Sequence, residues 1–230
     1  MLNKPTRALI FAPLLAISWL VYAGLEHAPE PEEAFQTLVF LRHAEKPTNG
    51  LGQLNCQGLN RSLALPTLLP ERFGAPDYVF AANPDRRVEE GPNDEEFNYL
   101  RPLLTIAPTA IAHGLPVNTE FNANDVEDIV DELTERQYRH STIYTAWSRG
   151  YVSEIMNELL DEVDADENLS VERWHREDFD SVYVIRLHWK NGEATASLEA
   201  QAQGLNEAQS ECPGEPQPAS PELALHESSR

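Results

Sequence analysis

Four short apolar runs, rich in β-branched and aromatic residues, constrain the fold more than any other feature of this chain. They cover residues 37–41, 77–82, 141–147 and 181–189, written TLVFL, DYVFAA, STIYTAW and SVYVIRLHW. The first three runs lack strict alternation of polar and apolar residues, as expected of strands that are covered on both faces. The runs therefore predict buried strands of a mostly parallel sheet.

Helical patterns separate these strand-like runs. Apolar residues recur at helical spacing in residues 57–74, 101–114, 124–139 and 151–163. A break or kink is expected in the first of them near Pro66. Strands that alternate with helices of this length predict an α/β fold in three layers, a doubly wound sheet with helices on both faces.

The end of the predicted domain, which covers residues 37–207, differs from the rest. Asn191 and Gly192 stand between two strand-like segments, and an Asn-Gly pair in that position is a strong β-hairpin signal. The sheet is therefore expected to finish with an antiparallel hairpin. Residues 208–230 are polar and proline-rich and predict a tail that is held only at Cys212.

The N-terminus has the pattern of a targeting segment. Within residues 1–24, Lys4 and Arg7 precede a long uncharged apolar run, and an acidic, proline-rich linker at residues 25–36 follows. The run is intermediate in length between the apolar part of a signal peptide and a spanning helix, so cleavage and retention as an anchor both remain open. Either outcome predicts export, to the periplasm or to the periplasmic side of the inner membrane.

The charge of the chain limits its partners. The net charge is −21, from 38 acidic and 17 basic residues. Such a surface lacks the basic patch that nucleic acid requires, so nucleic acid is not an expected partner, and contact with a membrane is expected only through the N-terminal segment. An acidic surface also repels anions at long range, so any anion site must be a local group of arginines.

The chain has two cysteines, Cys56 and Cys212. In an exported protein an even number predicts a disulfide, which would tie the C-terminal segment to the first helix; two unpaired thiols are the alternative. Their spacing does not match a metal site.

Polar residues follow the predicted strands at the edge where open α/β sheets bind ligands. Arg42 and His43 follow the first strand, Asn83 follows the second, and Arg149 follows the third, while Arg101 opens the second predicted helix. Guanidinium groups and helix N-termini both favour anions. The sequence therefore predicts an oxyanion pocket at this edge.

Three spaced motifs resemble the histidine phosphatase superfamily, whose members share the phosphoglycerate-mutase-like fold. They are LVFLRHAEKP at 38–47, LNCQGLNRSLAL at 54–65 and RPLLTIAPTAIAHGLPV at 101–117. Asn83 and Pro84 then stand for the Ser-Pro pair of the family, with the next sixteen residues as an insertion. The resemblance covers about residues 37–165, with the closing strands expected to follow, and implies an exported member of the superfamily.

The resemblance implies a phosphoryl-transfer site without a metal or an organic cofactor. His43 would be the nucleophile that takes the phosphoryl group, and Arg42 and Arg101 would stabilise the charge on its oxygens. A neutral imidazole is a competent nucleophile near pH 7, and two-step transfer lowers each barrier. The expected partner is a small phosphorylated substrate.

One position departs from the family pattern. Members have a second histidine after the third strand, where this chain has Arg149. An arginine keeps the positive charge and the donors, but it cannot act as an acid or a base. The expected function is thus a phosphomonoesterase acting through phosphohistidine at His43, and the alternative is a catalytically impaired module that binds phosphate esters. Arg149 is expected to contact the substrate, unless it points outward.

Other candidates for the site are weaker. Arg87, in the insertion, is expected at the mouth of the pocket as a substrate-binding residue. Glu45, close to the Arg-His pair, is a second substrate-binding candidate, and Glu45, Glu120 and Asp125 all remain possible general acids, because spacing does not choose among them.

Overall fold

The computed structural model describes residues 33–91 and 93–214. The predicted signal segment, most of the predicted linker and the end of the predicted tail lie outside these residues. Within the described ranges, no helix is long and apolar enough to cross a membrane.

Within the described residues, eight strands form two sheets. The strands are β1 (Glu33–Arg42), β2 (Tyr78–Ala81), β3 (Arg87–Glu90), β4 (Glu95–Asn98), β5 (Val117–Asn118), β6 (Thr142–Trp147), β7 (Ser181–Lys190) and β8 (Glu193–Ala202). Six of them form the main sheet in the order β5-β2-β6-β1-β7-β8. The first four in this order run parallel, whereas β7 and β8 pair antiparallel. The structure therefore confirms the predicted sheet and its closing hairpin, which turns at Asn191 and Gly192 with positive φ at both.

In the part of the chain that the structure describes, four α-helices cover the main sheet, namely α1 (Cys56–Phe73), α2 (Arg101–Ala112), α3 (Val126–Thr134) and α4 (Arg149–Glu162). Along β1, Val39 and Leu41 pack with apolar side chains of α1 and α2, whereas Leu38 and Phe40 pack with those of α3 and α4. Successive side chains of a strand point to opposite faces. The uninterrupted apolar run in β1 thus fills two cores, one on each face, as the three-layer prediction requires.

Strand β1 begins at Glu33, before the apolar run. Its first residues pair with the far end of β7, where Glu33 faces Lys190, whereas pairing with β6 starts only at Thr37. Residues 33–36 therefore belong to the sheet, although they end the segment 25–36 that the sequence predicts to be a linker.

Helix α1 is continuous through Pro66 and Pro70, so of the break or kink expected near Pro66 the break is absent. Each proline removes one backbone hydrogen bond of the helix. Leu65 and Leu69 are nevertheless fully buried against the sheet, and this packing holds the helix together. The helix ends where the sequence predicts, before Gly74, whose φ is 87°.

The insertion that follows β2 has structure of its own. Strands β3 and β4 pair antiparallel as a separate two-stranded hairpin, with Arg87 opposite Asn98 and Glu90 opposite Glu95. Sequence analysis leaves this segment without secondary structure because its strands, RVEE and EEFN, are dominated by charged residues.

The predicted disulfide joins Cys56, the first residue of α1, to Cys212. The C-terminal segment is also held by side chains of α1, because the Asn60 amide donates hydrogen bonds to the carbonyl oxygens of Gln209 and Glu211. Residues 208–214, the described part of the predicted tail, are therefore held at several points, and not at Cys212 alone.

Candidate active site

The carboxyl ends of β1 and β6 bring the predicted site residues together. The two strands are parallel, Arg42 lies opposite Trp147, and the His43 backbone N–H donates to the Trp147 carbonyl at 2.9 Å. His43 thus sits at the sheet edge, next to the start of α4, as the topology rule for α/β sheets predicts.

His43 is held as a neutral imidazole. Its side chain is only 5% exposed, and Nδ1 lies 2.8 Å from the Ala44 carbonyl oxygen. Since a carbonyl oxygen only accepts, Nδ1 carries the hydrogen and Nε2 carries the lone pair. Burial lowers the pKa of His43 to about 3; the Ala44 bond opposes this, and the charges of Arg101 and Arg42 add to it. At neutral pH the ring is therefore uncharged, with its hydrogen on Nδ1 and a free lone pair on Nε2.

Two residues of the sequence motifs fix the loop after His43. The Ala44 N–H donates to Thr105 Oγ1 at 2.9 Å, and that hydroxyl donates to the Arg101 carbonyl within α2. Gly58 of α1 touches the loop so closely that a Cβ there would lie 2.4 Å from the Glu45 carbonyl oxygen. The threonine and the glycine are thus required by contacts with the backbone of this loop.

Arg42 is anchored by backbone carbonyls. Its Nη1 donates to the carbonyl oxygens of Arg176 and Asp178, both at 2.7 Å, and its guanidinium lies 3.8 Å from the Phe179 ring centroid. Burial, followed by the positive charge of Arg149, lowers the pKa of Arg42 to about 10, so it stays charged at neutral pH. Its Nε is buried and has no partner among the described residues.

Arg101, the first residue of α2, is anchored by a carboxylate. Its Nη1 donates to Glu90 Oε2 at 2.7 Å, and Glu90 comes from β3 of the inserted hairpin. Its Nε, like that of Arg42, is buried and lacks a partner within the described part of the chain. An unsatisfied buried donor costs about 1–3 kcal/mol, and charged groups more, so both arginines favour a bound anion.

Two aromatic residues that sequence analysis does not single out form walls of the site. The Tyr99 ring stands edge-on to His43 with 6.0 Å between centroids, and the Phe179 ring is 6.3 Å away. Tyr99 is also 4.7 Å from the Arg101 guanidinium. Burial raises the pKa of Tyr99, against the opposing effect of Arg101, so the phenol stays protonated. No spacing signal marks either residue, because their place depends on the hairpin and on the loop before β7.

Arg149 is partly buried at the start of α4. Its Nη1 lies 3.4 Å from the Trp174 carbonyl oxygen, and its charge contributes to the lowered pKa of Arg42. The side chain therefore lies near Arg42.

Ser148 follows Trp147 directly and lies next to His43 where β1 and β6 end. Its Oγ is buried and has no hydrogen-bond partner in residues 33–91 and 93–214. The position facing His43 across the sheet is thus occupied by a serine, one residue before Arg149.

The structure ties Glu45 and Arg87 to partners away from the imidazole. Glu45 is 8% exposed and accepts hydrogen bonds of 2.6–3.1 Å from Arg61. Arg87 bonds to Asn98 and to the Glu96 carbonyl oxygen, within the hairpin.

The other predicted acids are Asp125 and Glu120. Asp125 accepts from the backbone and side chain of Asn122, and Glu120 is exposed. Within the described ranges, no group of three or more His, Cys, Asp or Glu side chains is arranged to hold a metal ion.

No protein-family model and no curated protein matches this sequence. Among solved structures, the chain is similar to the protein assigned as phosphohistidine phosphatase SixA from Nakamurella multipartitia, with 18% identity and a TM-score of 0.48 over 73% of this chain and 95% of that one. It is also similar to a mycobacterial glucosyl-3-phosphoglycerate phosphatase, with 14% identity and a TM-score of 0.48 over 73% of this chain and 98% of that one. Both names are those of phosphatases.

Proposed function

We propose that this chain is a phosphomonoesterase of the histidine phosphatase type, which hydrolyses a small phosphate ester through a phosphohistidine at His43. One observation carries the proposal. A neutral, buried imidazole with its lone pair on Nε2 lies beside two arginines, Arg42 and Arg101, whose buried Nε donors both lack partners among the described residues. A phosphoryl group on Nε2 would supply the acceptors that these donors require.

The reaction takes place in two displacements. In the first, Nε2 of His43 attacks phosphorus, an N–P bond forms, the ester P–O bond breaks, and the leaving oxygen takes a proton from the solvent side. In the second, water attacks phosphorus, the N–P electrons return to Nε2, and phosphate leaves with loss of a proton. The Nδ1 bond to the Ala44 carbonyl stabilises the positive ring of the intermediate, and Arg42 and Arg101 stabilise the oxygens in transit.

A specific observation also favours the binding-module alternative. Arg149 cannot act as an acid or a base, and the residue beside His43 across the strand ends is a serine, Ser148. Glu90, the carboxylate bound to Arg101, has a pKa lowered to about 2: burial opposes ionisation, and hydrogen bonds from Arg101 and Lys46 outweigh it. Around His43 the described residues thus offer good donors for phosphate and a poor supply of protons.

The decisive test of the enzyme is phosphate release from p-nitrophenyl phosphate by the purified protein. We expect turnover. We also expect the protein to carry a covalently bound phosphoryl group that is lost in acid and stable in alkali, which is the behaviour of a phosphohistidine. His43→Ala should abolish both, whereas His140→Ala, at an exposed position, should change neither. Release that survives in His43→Ala would refute the mechanism.

The binding module predicts a different pattern. Inorganic phosphate would raise the melting temperature of the wild type without any turnover, since a ligand that binds only the native state stabilises it. Arg149→His would then gain hydrolysis. Ser148→His is the parallel variant, because residue 148 follows Trp147 as His43 follows Arg42, and Arg42 and Trp147 are register partners. Robust turnover by the wild type would exclude the binding module.

We also propose that the protein is exported, with the N-terminal segment as signal or anchor. The Cys56–Cys212 disulfide supports this, because structural disulfides persist in oxidising compartments. Cell fractionation tests it: recovery of the protein with reduced thiols in the cytosol would contradict it.

A further inference from the structure

The carboxylate of Glu90 joins three separate segments beside the candidate site. Its Oε2 accepts from Arg101 Nη1 at 2.7 Å and from the Gly52 backbone N–H at 3.0 Å, and its Oε1 accepts from Lys46 Nζ at 2.8 Å. Glu90 itself belongs to β3 of the inserted hairpin. The hairpin is therefore connected to α2 and to the loop after His43 by a single side chain.

The loop is shaped to admit this carboxylate. Gly50 has φ 79°, and a Cβ at that position would lie 2.3 Å from Glu90 Oε2. At Gly52, with φ 65°, a Cβ would lie 2.0 Å from the Asn98 carbonyl oxygen of β4. Both positions combine a backbone conformation that favours glycine with a contact that excludes any side chain. The hairpin and the loop are thus fitted to each other around Glu90.

The charge state of Glu90 excludes a role as proton donor and leaves a role in holding Arg101. With its pKa held at about 2 by hydrogen bonds that outweigh burial, the carboxylate stays ionised at neutral pH and has no proton to give to a leaving group. What it does is to fix one end of the Arg101 guanidinium. Because Nη1 is engaged, the buried Nε is left as a donor without a partner among the described residues.

We propose that Glu90 is a positioning residue for phosphoryl transfer: it holds Arg101 by Nη1 and so aims the Nε edge of that guanidinium at the phosphoryl group on His43. A planar guanidinium held at one corner presents its remaining edge in a fixed direction, which favours two-point binding of phosphate oxygens. The inference rests on the function proposed above, and it assigns to the inserted hairpin a part in building the phosphate site.

The direction in which the phosphate Kd changes when Glu90 is replaced tests this proposal. Removing a negative charge beside an anion site strengthens anion binding by simple electrostatics, whereas loss of the Arg101 anchor weakens it. In the full-length protein, we expect Glu90→Gln and Glu90→Ala to raise the calorimetric Kd for inorganic phosphate at least tenfold. Glu89→Ala, which removes the same charge from the neighbouring exposed residue, should leave Kd within twofold.

Rescue gives a second readout that a purely structural role would not produce. Formate, a free carboxylate, should restore part of the phosphate affinity and of any turnover in Glu90→Ala, while chloride at the same ionic strength should not. Unchanged or tighter phosphate binding in both Glu90 variants would overturn the proposal, because Glu90 would then compete with phosphate. Loss of cooperative unfolding in both would overturn it too, since Glu90 would then hold the fold.

The binding arm also separates this proposal from the proposed function. If the wild type releases no phosphate from p-nitrophenyl phosphate, the esterase fails, yet the Kd values of the Glu90 variants still decide whether Glu90 positions Arg101. If the wild type turns over while these Kd values are unchanged, the esterase stands and the positioning role is refuted.

Discussion

Two arginine–carboxylate clusters flank the loop after His43. They differ in whether the arginine keeps an unbonded nitrogen, and this difference distinguishes a cluster that stabilises the fold from one that can bind a ligand. In the inner cluster, Arg61 is 1% exposed, and all three of its nitrogens bond to Glu45, Asp180 or Gln203. In the outer cluster, Arg101 is 5% exposed and bonds to Glu90, while its Nε has no partner in the described ranges. A buried arginine with all three nitrogens bonded stabilises structure, whereas one with a buried nitrogen that lacks an acceptor favours a bound anion.

The connectivity of the clusters agrees with this division. The inner cluster links the loop after β1 to α1, to the start of β7 and to the end of β8, so it joins segments far apart in sequence. The outer cluster links that loop to the inserted hairpin and to the first residue of α2, which is at the edge of the candidate site. Substitutions in the inner cluster should therefore lower mainly the free energy of unfolding, and substitutions in the outer cluster should weaken mainly phosphate binding.

Arg61→Met should have the largest effect on stability. It removes the cation between two buried carboxylates, and the loss of one partner from a buried ion pair typically costs about 3–5 kcal/mol. Urea denaturation should show this loss in the unfolding free energy. Arg186→Met is the matched control, because Arg186 and Glu199 are half-exposed and such pairs are worth about 0–1 kcal/mol. A similar, small loss in both variants would remove the distinction between inner cluster and surface pair.

Removal of the disulfide ranks second. The Cys56–Cys212 bond closes a loop with a sequence separation of 156, and a native disulfide typically contributes about 2–4 kcal/mol. Cys56→Ser with Cys212→Ser should lower the unfolding free energy by that amount, and reductant should reproduce it in the wild type. The bond lies on the side of the inner cluster, so phosphate Kd should change little; a tenfold change would show that the C-terminal segment also shapes the outer cluster.

How far the sequence predicts this molecule depends on the range of the contacts involved. Strands such as β1 and β6 are local apolar patterns, so their positions, and the edge where Arg42, His43 and Arg101 meet, follow from the sequence. The partner of Arg101 does not. Glu90 is one of 38 acidic residues and lies in a charged segment without periodicity, so only the folded hairpin selects it.

The same limit applies to the surroundings of Glu45 and Tyr99. Glu45 lies two positions after His43, which suggests the site, but the fold brings Arg61 of α1 to it, and Arg61 also bonds to Asp180, the residue before β7. Tyr99 gains its place beside His43 because β4 returns the chain to α2 there. Local pattern identifies where chemistry concentrates, and tertiary contacts decide which neighbours complete it.

The third prediction concerns acid pH. The pKa of Glu90 is about 2 in the folded protein, below the unfolded value of roughly 4.3, so its contribution is complete above that value and is lost as pH falls through about 2. After allowance for solvent screening this contribution is about 1–2 kcal/mol. The difference in unfolding free energy between wild type and Glu90→Gln should be constant above pH 5 and shrink between pH 4 and 2. A difference that grows in this window would have the wrong sign for a stabilised carboxylate.

Lys46→Met should have the smallest effect, and it distinguishes the contribution of Lys46 from that of Arg101 within the outer cluster. The Lys46 side chain is 42% exposed, and its 2.8 Å pair with Glu90 is worth about 0.2–1 kcal/mol. Because Glu90 keeps its bonds to Arg101 and Gly52, the Arg101 anchor survives, and the calorimetric Kd for phosphate should rise less than threefold. A loss of affinity as large as that in Glu90→Gln would mean that Glu90 acts on phosphate by holding Lys46, and the role assigned to Arg101 would pass to the lysine.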